Sequence, residues 1–135
     1  MSAQLKVMVI DDEPIVGKRL GPALEKMGCQ TETFVDPAAA LGRLAECEFD
    51  VVVTDVRMDE VDGIGVLERV KALSKRTKVI MITGYATLEV AHEALAKGAF
   101  DFIAKPFKPE DLRQAVARAA EALGIQGPGA AASQA

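Results

Sequence analysis

Several chemistries are closed to this chain by what it lacks. Among 135 residues it has two cysteines, Cys29 and Cys47, and one histidine, His92. With no C-x-x-C pair and no histidine beside either thiol, both cysteines read as small buried or half-buried side chains of a reducing compartment, and His92 as a solvated helix residue. Cationic residues are outnumbered, 16 Lys and Arg against 20 Asp and Glu, giving a net charge of −4 and a pI near 5.0. No basic stripe is available to neutralise nucleic-acid phosphates, so direct binding of DNA or RNA is not expected. No apolar run approaches the roughly 18 residues a membrane span needs, and residues 1–4 lead into a strand-like segment with no signal-peptide pattern. The expected location is cytoplasmic, with no membrane contact.

What is present is a strongly patterned apolar half of the sequence. A chain of this length suits one domain that buries roughly 65 to 70% of its unfolded surface. Short β-branched or apolar runs at 5–10, 30–35, 50–54, 78–83 and 100–104 read as strands, and segments of helical spacing separate them. The first helix opens near Pro14, carries Val16, Leu20, Leu24 and Met27 inward and stops at Gly28. The second has Asp36 as N-cap and Pro37 in its first turn, with Ala40, Leu41 and Leu44 inward. A third, 63–73, presents Ile64, Leu67, Val70 and Leu73. A fourth, 86–97, presents Val90, Ala91, Ala94 and Leu95 before Gly98. The last, 109–123, presents Leu112, Val116, Ala119 and Leu123.

Strict alternation of strand and helix implies right-handed crossovers and a parallel sheet covered on both faces. The continuous apolar runs at 51–53 and 79–82 mark central strands, whereas 30–35 alternates as an edge strand does. The expected fold is therefore an α/β, flavodoxin-like doubly wound sheet of five parallel strands, order 2-1-3-4-5, with five helices. The domain is expected over 5–123, after a short lead at 1–4. The small-residue stretch 124–135 is expected to be a flexible tail or linker stub.

That topology gathers the polar residues that close the strands onto one rim. Asp11 and Asp12 end the first run, Asp55 the third, Thr83 the fourth and Lys105 the fifth. Three neighbouring carboxylates repel one another unless a cation is shared, and hard oxygen donors forming a partial set suit Mg²⁺ with a phosphate completing the sphere. Asp55, alone at the tip of a buried strand, is the candidate nucleophile toward phosphorus. Asp11 and Asp12 are better arranged for metal and water, while Lys105 and the Thr83 hydroxyl can hold phosphoryl oxygens.

The motifs Val9-Ile10-Asp11-Asp12-Glu13, Val53-Thr54-Asp55-Val56-Arg57-Met58, Asp62-Gly63, Ile82-Thr83-Gly84 and Phe102-Ile103-Ala104-Lys105-Pro106-Phe107 together resemble the receiver domain of two-component response regulators, over residues 5–123. In wording around Asp55 and Thr83 the chain is most similar to receivers of enhancer-binding transcription activators. The resemblance implies that Asp55 accepts a phosphoryl group from a sensor histidine kinase or histidine phosphotransfer protein. It implies Mg²⁺ held by Asp12 directly, by Asp11 mainly through water, by Asp55, and by the backbone carbonyl of Arg57. It further implies that Thr83 and Lys105 contact the phosphoryl group, that Phe102 follows Thr83 inward on activation, that the Lys105–Pro106 bond is cis, and that the face of the fourth helix, fifth strand and fifth helix switches, a surface through which a homodimer can form. Asp59 departs from the family, which usually has proline there.

Three further expectations concern tuning, docking and rivals. Arg57 and Tyr85, each two residues past a site residue, flank the path of attacking water, so the phosphoryl group should persist on the order of minutes or longer. Pro14 and Ile15, above the acids and off the inward stripe, are candidates for kinase docking. A standalone phosphorelay carrier and a non-phosphorylated interaction module remain alternatives. A small-molecule phosphatase is disfavoured by the absence of a lid insertion and of an acid two residues after Asp55, and a dinucleotide module by Asp11-Asp12-Glu13 where a glycine-rich cradle would stand.

Overall fold

The structure, a computed structural model, describes residues 5–56, 63–84 and 88–124. Five strands and five helices alternate without exception: β1 (Lys6–Ile10), α1 (Pro14–Lys26), β2 (Gln30–Phe34), α2 (Pro37–Glu46), β3 (Val51–Asp55), α3 (Gly63–Leu73), β4 (Lys78–Thr83), α4 (Leu88–Ala96), β5 (Asp101–Ala104) and α5 (Pro109–Ala122). All pairings are parallel and the order is β2-β1-β3-β4-β5, as the patterning predicts. β3 is buried at every position and β4 at all but its first, while β2, at the edge, has no fully buried residue.

Strand side chains alternate between two cores. Val7, Val9, Val51, Val53, Ile80 and Ile82 pack beneath α1 and α5, with Leu20, Leu24, Leu112 and Val116. Met8, Ile10, Val52, Val79 and Met81 pack on the other face, with Ala40, Leu67, Val70 and Ala94. Each Val, Leu, Ile or Met side chain buried here is worth roughly 1.5 to 3 kcal/mol relative to leaving it exposed. Local signals close the helices as their chemistry requires: the Asp36 side chain accepts from the Ala38 N–H at 3.0 Å, and Gly28 and Gly98 take the left-handed conformation, φ 95° and 104°, after α1 and α4.

Three inward assignments are corrected. Leu73 and Leu95 are each 48% exposed. In α3 the buried stripe is Ile64, Val66, Leu67 and Val70, and Leu73 overhangs at the last residue. In α4 Ala94 is the buried residue and Leu95 lies about 100° further round, on the outer face. At the end of α5, Leu123 is only half-buried, and Ala115 and Ala120 join the stripe instead. Pro22 lies inside α1, on its exposed side.

Candidate functional site

The alternation that builds the two cores also sorts the rim. Asp11 continues the Val7, Val9 series, Asp55 the Val51, Val53 series and Lys105 the Asp101, Ile103 series, so all three rise on the side covered by α1 and α5. Thr83 continues the Met81 series on the opposite side. Because Met81 is in register with Phe102 and Thr83 with Ala104, Thr83 and Phe102 share a face on neighbouring strands. Thr83 is fully buried, and Phe102 is half-buried against the α2–α4 core.

Lys105 is the hub of the site. Its backbone N–H donates to the Thr83 carbonyl at 2.7 Å, tying the end of β5 to β4. Its Nζ crosses the end of β4 and donates to Asp55 Oδ2 at 2.7 Å, Asp11 Oδ2 at 3.1 Å and Glu13 Oε1 at 3.4 Å. The Asp11 and Asp55 side chains are 1% and 7% exposed. Burial pushes the Asp11 carboxyl up to about 6, against the opposing pull of the Glu13 N–H (2.9 Å to Oδ1) and of Lys105, and the nearby Asp55 charge adds to the rise. Burial alone would lower Lys105. Its bonds to Asp55 and Asp11 outweigh that and raise it well above the ordinary lysine range.

Carboxylate oxygens of Asp11, Glu13 and Asp55 all lie within 4.8 Å of one another, with one ammonium among them. Three acids against one cation leave a surplus of about two negative charges at a corner where Asp11 and Asp55 are buried and Glu13 faces solvent, and every ligand atom is a hard oxygen. The residues present thus fit a divalent cation of the Mg²⁺ type. Asp12, half-buried, stands beside this trio without being one of its three members, and Glu13 joins Asp11 and Asp55 where the expected carboxylates are Asp11, Asp12 and Asp55. An exposed glutamate ahead of a helix ordinarily signals only its first turn, which is why it was missed.

Of the remaining expected positions, the Lys105–Pro106 bond is cis. Arg57 and Tyr85 lie outside the described residues. Ile15, off the inward stripe as expected, is 61% exposed and lines a groove of about 350 Å³ between α1 and the β5–α5 connection, together with Val16, Leu20, Pro106, Phe107 and Pro109. Glu13 and Lys105 form the end of that groove that meets the acidic site. Pro14 is exposed but does not line it.

Residues 7–117 match the family model described as response regulator receiver domain. The chain is a receiver domain. The receiver is 40% identical over 119 residues to Regulatory protein AtoC of Escherichia coli strain K12, covering 88% of this chain and 26% of that protein. The chain spans about a quarter of the length of this relative. It superimposes on the beryllofluoride-activated NtrC4 receiver domain dimer (33% identity, 87% of this chain and 98% of that one, TM-score 0.83). It does so too on one chain of the CheX–CheY–BeF3–Mg²⁺ complex from Borrelia burgdorferi (27% identity, 84% of this chain and 87% of that one, TM-score 0.80). A receiver is a regulatory phosphoacceptor domain rather than an enzyme acting on a separate substrate. Among the described residues, no helix is long and apolar enough to cross a membrane.

Proposed function

We propose that this receiver, over residues 5–123, is the input domain of a cytoplasmic two-component regulator and takes a phosphoryl group from a histidine kinase or histidine phosphotransfer protein onto Asp55. The observation that carries this reading is the convergence of Asp11, Asp55 and Lys105 from three strands onto one buried point. A carboxylate oxygen of Asp55 forms the new P–O bond, the P–N bond of the donor phosphohistidine breaks, and its electron pair stays on the imidazole nitrogen. Lys105, already 2.7 Å from Asp55, moves its donors onto the phosphoryl oxygens as these replace the free carboxylate. Thr83 offers its hydroxyl from the neighbouring strand. Mg²⁺, when bound, neutralises the charge that phosphoryl and carboxylate bring together; Asp11, Asp12, Asp55 and the Arg57 carbonyl would hold it, with Glu13 close enough to take part.

The switch runs through Thr83 and Phe102, which share a sheet face next to α4. Drawing the Thr83 hydroxyl toward the phosphoryl group vacates space that Phe102 enters, shifting the balance between two states of the α4–β5–α5 surface. Formation of a dimer through this surface in the phosphorylated state, supported by the activated NtrC4 receiver dimer, is the proposed output, passed to a transcription-regulating domain of the kind attached to its relatives. Arg57 and Tyr85 screen the water path. Replacing both with alanine should shorten the phosphoryl lifetime about tenfold or more, measured as decay of label after donor removal, and unchanged decay would remove them from this role.

Turnover separates this reading from a small-molecule phosphatase. With excess acetyl phosphate and Mg²⁺, labelling should stop at one phosphoryl group per chain, and released phosphate should track only the slow decay of that label. Sustained rapid hydrolysis without labelled protein would favour the enzyme.

A further inference from the structure

Gly63 opens α3 where its backbone comes close to that of Asp55. A Cβ built there would overlap the Asp55 carbonyl oxygen and stand 2.7 Å from Val56 Cα and 2.9 Å from the Asp55 carbonyl carbon. All three are main-chain atoms, so no side-chain rotation relieves the clash. Val56 itself is held from both sides: its carbonyl accepts from Gly63 N–H at 2.7 Å, and its N–H, part of the Asp55–Val56 peptide, donates to the Ile82 carbonyl of β4 at 2.9 Å. Val56 and Ile64 are each 5% exposed, which keeps α3 from backing away freely.

We infer that Gly63 is a positioning residue for the acceptor: its missing side chain lets α3 press the Asp55–Val56 peptide against β4 and so fixes where the Asp55 carboxylate stands relative to Lys105. This rests on the reading of Asp55 as phosphoacceptor. A side chain at 63 displaces the acceptor's own backbone, and a misplacement of about 1 Å slows a reaction that depends on alignment by up to ~100-fold. Gly65, two residues along the same helix, is the matched control, since a Cβ there meets nothing within 4 Å.

Wild type, Gly63→Ala, Gly65→Ala and the Gly63→Ala/Gly65→Ala double variant are incubated with excess acetyl phosphate and Mg²⁺, acid-quenched over time and weighed intact. Circular dichroism gives the folded fraction of each. The double variant guards against poor folding, because alanine at 65 strengthens the helix. Gly63→Ala, alone or in the double variant, should show an initial labelling rate per folded molecule at least tenfold below wild type, while Gly65→Ala stays within twofold of wild type. A displaced acceptor slows the rate, whereas a merely structural role lowers the extent in proportion to the unfolded fraction. A Gly63→Ala rate within twofold of wild type, a loss confined to extent, or failure of both Gly63 variants to fold would overturn the inference. Wild type that takes no label would overturn the acceptor reading itself.

Discussion

Asp11 shows what the site costs the fold. Its carboxyl is raised from 3.8 to about 6 by burial and by Asp55, so between those values the native state binds more protons than the unfolded chain. Stability therefore falls as pH rises through that window, and the penalty is fully present above about 6. Asp11→Asn keeps an oxygen for the Glu13 N–H and removes the buried charge. In chelator it should be more stable than wild type at pH 7 by on the order of 2 kcal/mol, with the gap closing as pH drops below about 4. Denaturant melts of both proteins from about pH 3 to about pH 8 check this, and a gap that is constant with pH would contradict it. At this scale, Asp11, Asp55, Thr83 and Lys105 were legible because each is a polar residue that abruptly ends an apolar run. Glu13 and Gly63 were not legible as site residues: the roles of an exposed acid and of an absent side chain depend on what comes near them in space, which no local pattern records.

The elements follow from patterning almost residue for residue, because a fully covered parallel sheet forces near-continuous apolar strands and each helix carries its own stop. β4 and α3 fall where the spacing puts them, one or both termini of β1, β2, β3, β5 and α5 shift by one residue, and the expected start of α4 at 86 lies outside the described residues. Leu73 and Leu95 were misplaced for a common reason: an apolar residue near a helix end or one step off the stripe satisfies the period without having a neighbour to meet. Pro22 is the element-scale anomaly. At the ninth position of α1 it removes the N–H that would bond the Lys18 carbonyl and presses its ring on the preceding turn. Pro22→Ala should stabilise the domain by about 1 to 3 kcal/mol, less whatever the more flexible unfolded chain recovers. A melting temperature that falls or stays level would show that the helix has relaxed around the ring.

For the molecule as a whole, topology does the placing. The order β2-β1-β3-β4-β5 sets β1 and β3 side by side at the switch point, so acids distant in sequence meet there, and Lys105 reaches them from beyond β4. The apolar groove beside them, with Ile15 at its exposed lip, is the proposed seat of the kinase's phosphohistidine helix. Ile15→Glu should cut transfer from the kinase at least tenfold while leaving labelling by acetyl phosphate within twofold, and equal loss of both would count against docking there. Only half of this groove was readable in advance, since Pro106, Phe107 and Pro109 arrive from the opposite end of the chain. The chemistry of the whole molecule turns on Asp55. Intact-mass measurement of wild type and Asp55→Asn after incubation with acetyl phosphate, with and without Mg²⁺, should show one added phosphoryl group on wild type in Mg²⁺ alone. Wild type that stays unmodified, or Asp55→Asn that gains the same mass, would contradict it.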